Sequence, residues 1–126
     1  MTILRLSPIT AFVATSDPAK ARAFYRDVLG FTLIREEPSA LLFSLYGAML
    51  RVNIVDVVTP QPFTVLGWTV DDVVTEIVPL TQRGLTFERY PDLSHDEAGV
   101  ARFPNGDKVV WFKDPDGNLL SVTQLG

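Results

Sequence analysis

The stretch VVWFKDPDGNLLSV, residues 109–122, consists of two apolar segments separated by a turn signal. The letters DPDG are typical of a type I turn followed by a glycine in the left-handed conformation. Such a three-residue loop pairs Asp114 with Asn118. It also places Trp111 opposite Ser121, with both side chains on one face, because side chains alternate along a strand. The stretch therefore predicts a β-hairpin of defined register.

An internal repeat sets the context of this hairpin. Residues 10–35 align with residues 64–89. Six positions are identical between the two copies: Thr10, Thr15, Asp17, Gly30, Thr32 and Arg35 match Thr64, Thr69, Asp71, Gly84, Thr86 and Arg89. In each copy an apolar segment leads into an aspartate suited to cap a helix, and a glycine follows where the helix should end. Each copy therefore predicts a strand, a helix and a second strand, with Asp17 and Asp71 as the helix caps.

A hairpin pattern follows each copy of the repeat, which predicts an α+β fold made of two tandem βαβββ modules. We expect one domain, residues 1–126, with module one at about 7–57 and module two at about 62–126. The second module is longer because of an insertion at about 91–106. This insertion is rich in Pro, Gly, Asp and Ser and contains a short strand-like segment, VARF, at residues 100–103. We expect it to make an excursion off the sheet.

The paired modules, together with SDPAKARAFYRDVLGFTL and VVWFKDPDGNLLSV, resemble the vicinal oxygen chelate superfamily. It includes glyoxalase I, bleomycin-resistance proteins and extradiol dioxygenases. The resemblance implies that the two modules form a curved, cup-like mixed sheet with helices on its outer face. It also implies that metal-dependent members hold a divalent ion inside the cup with His, Glu or Gln side chains.

The positions that match the family's metal ligands hold other residue types in this chain. They are Thr10, Arg51, Val65 (or Thr64, if the register slips by one) and Ser121. The resemblance therefore implies a member without a metal or another cofactor, and it identifies no catalytic residue.

Composition excludes several other classes of function. The chain has one histidine and no cysteine, so a site of several His or Cys ligands is excluded. His95 lies in the insertion, where we expect it to be solvated; a metal or acid–base role is the alternative. The net charge of -4, with both signs interspersed, argues against nucleic acid as a partner. No segment approaches the roughly 20 apolar residues that cross a membrane, so we expect a cytoplasmic protein.

Strand alternation predicts which side chains line the cup. If Arg51 and Ser121 point inward, and if the turn at LYG also has three residues, a ligand-binding set follows: Thr10, Phe12, Phe43, Met49, Arg51, Asn53, Trp111 and Ser121. The aromatic members have an alternative role as core residues. Arg51 either binds an anionic group of a ligand or pairs with an internal carboxylate, for which Glu36, Glu37 and Asp56 are the candidates.

These residues predict a metal-independent protein that binds a small acidic or aromatic molecule, with a role in resistance or sequestration. The first alternative is a metal-independent isomerase, lyase or hydrolase that uses Arg51 together with a hydroxyl group or His95. A metal-dependent glyoxalase or dioxygenase and an interaction domain with a filled cup are further alternatives. Open sheet edges and apolar rims predict a homodimer, and the insertion, with Tyr90 and Phe103, is placed to reach over a cup.

Overall fold

The computed structural model describes residues 3–126. The chain divides into two compact units, Met1–Thr59 (unit one) and Pro60–Gly126 (unit two). Each unit contains one four-stranded mixed sheet and one helical segment. The α+β class and the two βαβββ modules predicted from the sequence are therefore confirmed. No helix within residues 3–126 has the length and apolarity needed to cross a bilayer.

Unit one has the strand order β1-β4-β3-β2, in which β1 and β4 are parallel and the other pairs are antiparallel. A short 3-10 turn, Leu4–Leu6, precedes the sheet. The elements are β1 (Ile9–Thr15), α1 (Pro18–Arg22, continued by a π-helical turn, Ala23–Val28), β2 (Thr32–Glu37), β3 (Ala40–Leu45) and β4 (Ala48–Ile54).

The helix of unit one begins as predicted. The Asp17 carboxylate accepts the backbone N–H of Lys20, and Pro18 occupies the first turn, where its missing N–H needs no partner. The apolar side of this helix packs on one face of the sheet. There the Tyr25 ring lies 5.8 Å from the Phe43 ring, and both side chains are fully buried.

Unit two repeats the arrangement with the order β5-β8-β7-β6. Its elements are β5 (Leu66–Thr69), α2 (Val73–Gln82, with Pro79 inside), β6 (Ala101–Arg102), β7 (Lys108–Lys113) and β8 (Leu119–Gln124). The cap of α2 is Asp72, which accepts the N–H groups of Val74 and Thr75, so the predicted cap Asp71 is wrong by one residue. Val73 and Ile77 are the buried residues of α2.

The outer edge of unit two differs from the prediction. The repeat predicts a strand directly after α2, but residues 85–90 form no strand and make one backbone hydrogen bond to β7, from Glu88 N–H to the Trp111 carbonyl. The insertion supplies β6, which pairs antiparallel with the first residues of β7. The prediction that the insertion leaves the sheet therefore fails for Ala101–Arg102, which lie within the strand-like VARF segment. The unpaired N–H and C=O groups of a free β7 edge explain why a later segment pairs there.

The two hairpins have different loop lengths, and this difference decides which side chains share a face. In unit two Asp114 N–H donates to the Asn118 carbonyl at 3.0 Å and Trp111 pairs with Ser121, as predicted. In unit one the turn has two residues, Tyr46 and Gly47, and Leu42 pairs with Arg51.

The predicted position of Phe43 is therefore wrong. Phe43 pairs with Leu50 and points toward the helix, on the face opposite Arg51. A loop that is one residue shorter shifts the register by one and moves alternate side chains to the other face.

Candidate ligand-binding site

Five of the predicted site residues share the helix-free face of unit one. Strand pairing sets Phe12 beside Arg51 and Thr10 beside Met49, and Asn53 follows Arg51 by two residues on β4. Phe12 is 57% exposed, so its ring is available for contact on this face. The structure thus brings these five together and leaves Phe43 out.

Arg51 on this face has internal partners. Its Nε donates to Asn53 Oδ1 at 3.0 Å, and its Nη2 lies 3.7 Å from Glu37 Oε2. Glu37 also pairs with Arg35, at 2.9 Å. Glu36, another candidate partner, instead pairs with Arg22 of α1. The internal carboxylate foreseen as the alternative to a ligand is therefore Glu37, which Arg51 shares with Arg35.

The helix-free face of unit two contains a cavity of about 590 Å³, here called the Trp111 cavity. It is lined by Phe103, Pro104, Asn105, Asp107, Val109, Trp111, Ser121 and Thr123. The predicted pair Trp111 and Ser121 thus lies in one cavity. Phe103, Asn105 and Asp107 come from the insertion and the turn after it. The sequence signal for these three residues was the strand-like VARF segment, because a strand there can return the insertion to the sheet.

Ring contacts define one side of this cavity. The Trp111 ring lies 5.2 Å from Tyr90, 6.2 Å from His95 and 6.5 Å from Phe103, each in an edge-to-face arrangement. Aromatic pairs favour this geometry because the positive edge of one ring meets the negative face of another. The insertion is thereby packed against β7.

His95 holds the insertion in place through both ring nitrogens. Its Nε2 accepts the Tyr90 backbone N–H at 3.0 Å, and its Nδ1 lies 2.9 Å from the Gly99 carbonyl. Since a carbonyl only accepts, the proton is on Nδ1 and the imidazole is neutral. His95 is partly buried, so the expectation of a solvated loop histidine is wrong.

A second cavity of about 400 Å³, the Lys113 cavity, lies beside Tyr90. Its lining residues are Pro60, Gln61, Pro62, Glu88, Tyr90, Lys113, Gly117 and Leu119. Lys113 Nζ is 3.2 Å from Glu88, so the charges in this cavity compensate each other. Burial raises the pKa of the Tyr90 phenol and the Glu88 carboxylate raises it further, while Lys113 opposes them. The phenol therefore stays a neutral hydrogen-bond donor at physiological pH.

The positions that match the family's metal ligands do not suit a divalent ion. They carry the hydroxyls of Thr10 and Ser121, the Arg51 guanidinium and the Val65 isopropyl group. Within residues 3–126, no group of three or more His, Cys, Asp or Glu side chains is arranged so that it could hold a metal ion. The strand β5 also passes close to Ser121, since a Cβ on Gly67 would lie 2.8 Å from the Ser121 hydroxyl oxygen.

Several solved structures have the same fold as this chain. A glyoxalase/bleomycin resistance protein/dioxygenase from Alicyclobacillus acidocaldarius is 25% identical, with a TM-score of 0.70 over 92% of this chain and 89% of that one. A lactoylglutathione lyase from Agrobacterium tumefaciens, 21% identical, has a TM-score of 0.71 over 92% of this chain and 91% of that one. A superfamily member from Sphaerobacter thermophilus, 24% identical, has a TM-score of 0.70 over 93% and 95%.

Sequence comparison gives the family directly. No curated protein matches the chain significantly. The family model described as Glyoxalase/Bleomycin resistance protein/Dioxygenase superfamily matches residues 5–122, which is most of the chain. The chain therefore belongs to the glyoxalase/bleomycin resistance protein/dioxygenase superfamily.

Proposed function

We propose that the protein is a cytoplasmic, metal-independent member of this superfamily that binds a small organic molecule in the Trp111 cavity. The observation that carries this proposal is the lining of the cavity. Trp111 Nε1, Ser121 Oγ and Thr123 Oγ1 make no hydrogen bond to any of residues 3–126. An aromatic wall with a few unused polar groups is the usual composition of a small-molecule site.

The state of His95 favours binding over catalysis by a general base. A base must accept a proton from the substrate, and the one imidazole lone pair already accepts the Tyr90 N–H. Arg51, the other residue of the enzymatic alternative, already pairs with Glu37 at 3.7 Å. A metal-independent isomerase, lyase or hydrolase that acts in the Trp111 cavity would therefore have to use the Asp107 carboxylate or hydroxyl groups for proton transfer.

A thermal-shift screen of small aromatic compounds tests the proposal, because a ligand that binds the folded state raises the melting temperature by mass action. Two matched variants identify the face that binds. We expect Trp111→Leu to abolish the shifts and Phe12→Leu, in unit one, to leave them. Loss in Phe12→Leu alone would contradict the proposal.

Metal addition is a separate arm of the same screen. We expect zinc, nickel, manganese and iron(II) to leave the melting temperature unchanged, because the four ligand positions offer a metal no imidazole, thiolate or carboxylate. One equivalent of tightly bound metal in the purified protein, with a shift on its removal, would overturn metal independence.

We also propose that the protein is a homodimer, with the start of the chain in the interface. Four large apolar residues there are strongly exposed: Ile3 (71%), Leu4 (76%), Leu6 (69%) and Ile9 (71%). Large apolar side chains exposed over so short a stretch of chain are costly on a monomer in water. Light scattering should give twice the mass of one chain, and Leu4→Lys with Leu6→Lys should give the monomer. A monomeric wild-type protein at micromolar concentration would contradict this proposal.

A further inference from the structure

One carboxylate in the Trp111 cavity lacks a compensating charge. Within residues 3–126, Asp107 is the one ionisable residue in the cavity lining, and its carboxylate forms no salt bridge. Its Oδ1 accepts the Gly126 N–H at 2.9 Å. The nearby cationic side chains interact with other carboxylates. Arg102 pairs with Asp96 at 3.4 Å. Lys108 lies on the helix side of β7, where its positive charge helps to lower the pKa of Asp72.

The aromatic rings that line the cavity favour the same sign of ligand charge as this carboxylate does. The faces of the Trp111 and Phe103 rings carry the negative part of the ring quadrupole, which attracts a cation within about 6 Å of the ring centre. A bound anion would lie close to both these rings and Asp107. The cavity therefore selects against the acidic ligand expected from Arg51.

We propose that the ligand of the Trp111 cavity is a planar aromatic cation. Its ring would lie against Trp111 and Phe103, and its positive charge would face Asp107. The hydroxyls of Ser121 and Thr123 would bind polar substituents. This inference rests on the proposed function and adds to it the sign of the ligand's charge. A volume of about 590 Å³ accommodates a ligand of two or three fused rings.

Three probes of similar ring size and different charge test the inference by isothermal titration calorimetry. They are 1-methylquinolinium, quinoline at a mildly alkaline pH where it is neutral, and 1-naphthoate. We expect the quinolinium to bind roughly tenfold more tightly than quinoline at low ionic strength, and naphthoate to bind most weakly. The preference for the cation should shrink as salt is added, because a partly exposed charge pair is screened.

Two variants that remove the same charge locate the source of the preference. Asp107→Asn keeps the Oδ1 acceptor for Gly126 N–H and should lose the preference for the cation. Asp71→Asn removes an exposed carboxylate outside the cavity and should keep it. An unchanged preference in Asp107→Asn, or tightest binding of naphthoate, would overturn the inference.

The same titrations separate this inference from the proposed function. If all probes bind equally and Trp111→Leu abolishes their binding, the cavity is a ligand site and the cation preference is wrong. If none of the probes binds to the wild-type protein, both the cavity and the cation preference are refuted for aromatic ligands. A cation preference that survives in Trp111→Leu refutes the cavity as its source.

Discussion

The two units have the same strand order but differ in what their sheets present on the face without the helix. On the helix side, Phe43 of unit one and Phe112 of unit two are both fully buried. On the other side, Arg51 and Ser121 occupy matching positions, opposite Leu42 and Trp111. In unit one Arg51 has an internal partner, Glu37, whereas unit two has a cavity with unused polar groups. The helix side must fill a core, and the other side is free to differ.

The largest expected effect comes from substitutions in the buried core on the helix side of each sheet, which the two units share. Phe43→Ala and Phe112→Ala should each lower the free energy of unfolding by about 3–5 kcal/mol, because each removes a fully buried ring and leaves a cavity. Urea denaturation followed by circular dichroism measures this. A loss below about 1 kcal/mol for Phe43→Ala would contradict its position against Tyr25 and restore the helix-free face as its location.

Substitutions of the glycines in the two hairpin turns should change the free energy of unfolding by a smaller amount. Gly47 and Gly117 both have positive φ, at 68° and 87°, where a side chain costs roughly 1–2 kcal/mol. A Cβ on Gly47 would meet open space, whereas one on Gly117 would lie 3.0 Å from Pro60 Cγ. Gly117→Ala should therefore be more destabilising than Gly47→Ala in the same denaturation experiment. Equal losses would show that Pro60 moves aside without cost.

The ion pair of unit one should contribute less. In a double-mutant cycle with Arg51→Met and Glu37→Gln, we expect a coupling free energy of about 0.5–1 kcal/mol, because both side chains are partly exposed. The coupling should fall with salt. A coupling of zero, together with binding of 1-naphthoate that Arg51→Met abolishes, would instead support Arg51 as a binding site for ligand anions.

The smallest effect concerns the Tyr90 phenol of unit two. Its pKa is raised, so the folded state holds this proton more tightly than the unfolded chain. This contribution to stability is complete below the ordinary tyrosine pKa of about 10 and is lost as the pH rises through the higher folded value. Tyr90→Phe should therefore lose less stability than the wild-type protein between neutral and strongly alkaline pH. Identical pH profiles would contradict the shift.

Local signals predicted several features correctly. The Asp17 cap, the turn after Asp114 and the pairing of Trp111 with Ser121 depend on atoms within a few residues of one another. Turn and cap geometry is set by short-range sterics and hydrogen bonds, so residue type and spacing are sufficient. The repeat extended these local predictions to the module order and hence to the fold.

Other features required the tertiary structure. Phe43 lies on the opposite face of the sheet from the one predicted, because a turn that is one residue shorter exchanges the faces of alternate side chains. The letters LYG are compatible with either loop length. The pairing of β6 with β7, the two partners of His95 and the position of Asp107 in the cavity depend on where the insertion returns to the sheet. The sequence by itself determined the two modules and the Trp111–Ser121 pair, since these follow from local chemistry. Only the packing of distant segments decided which edge was paired and which charges were compensated, because those energies come from neighbours that sequence spacing does not specify.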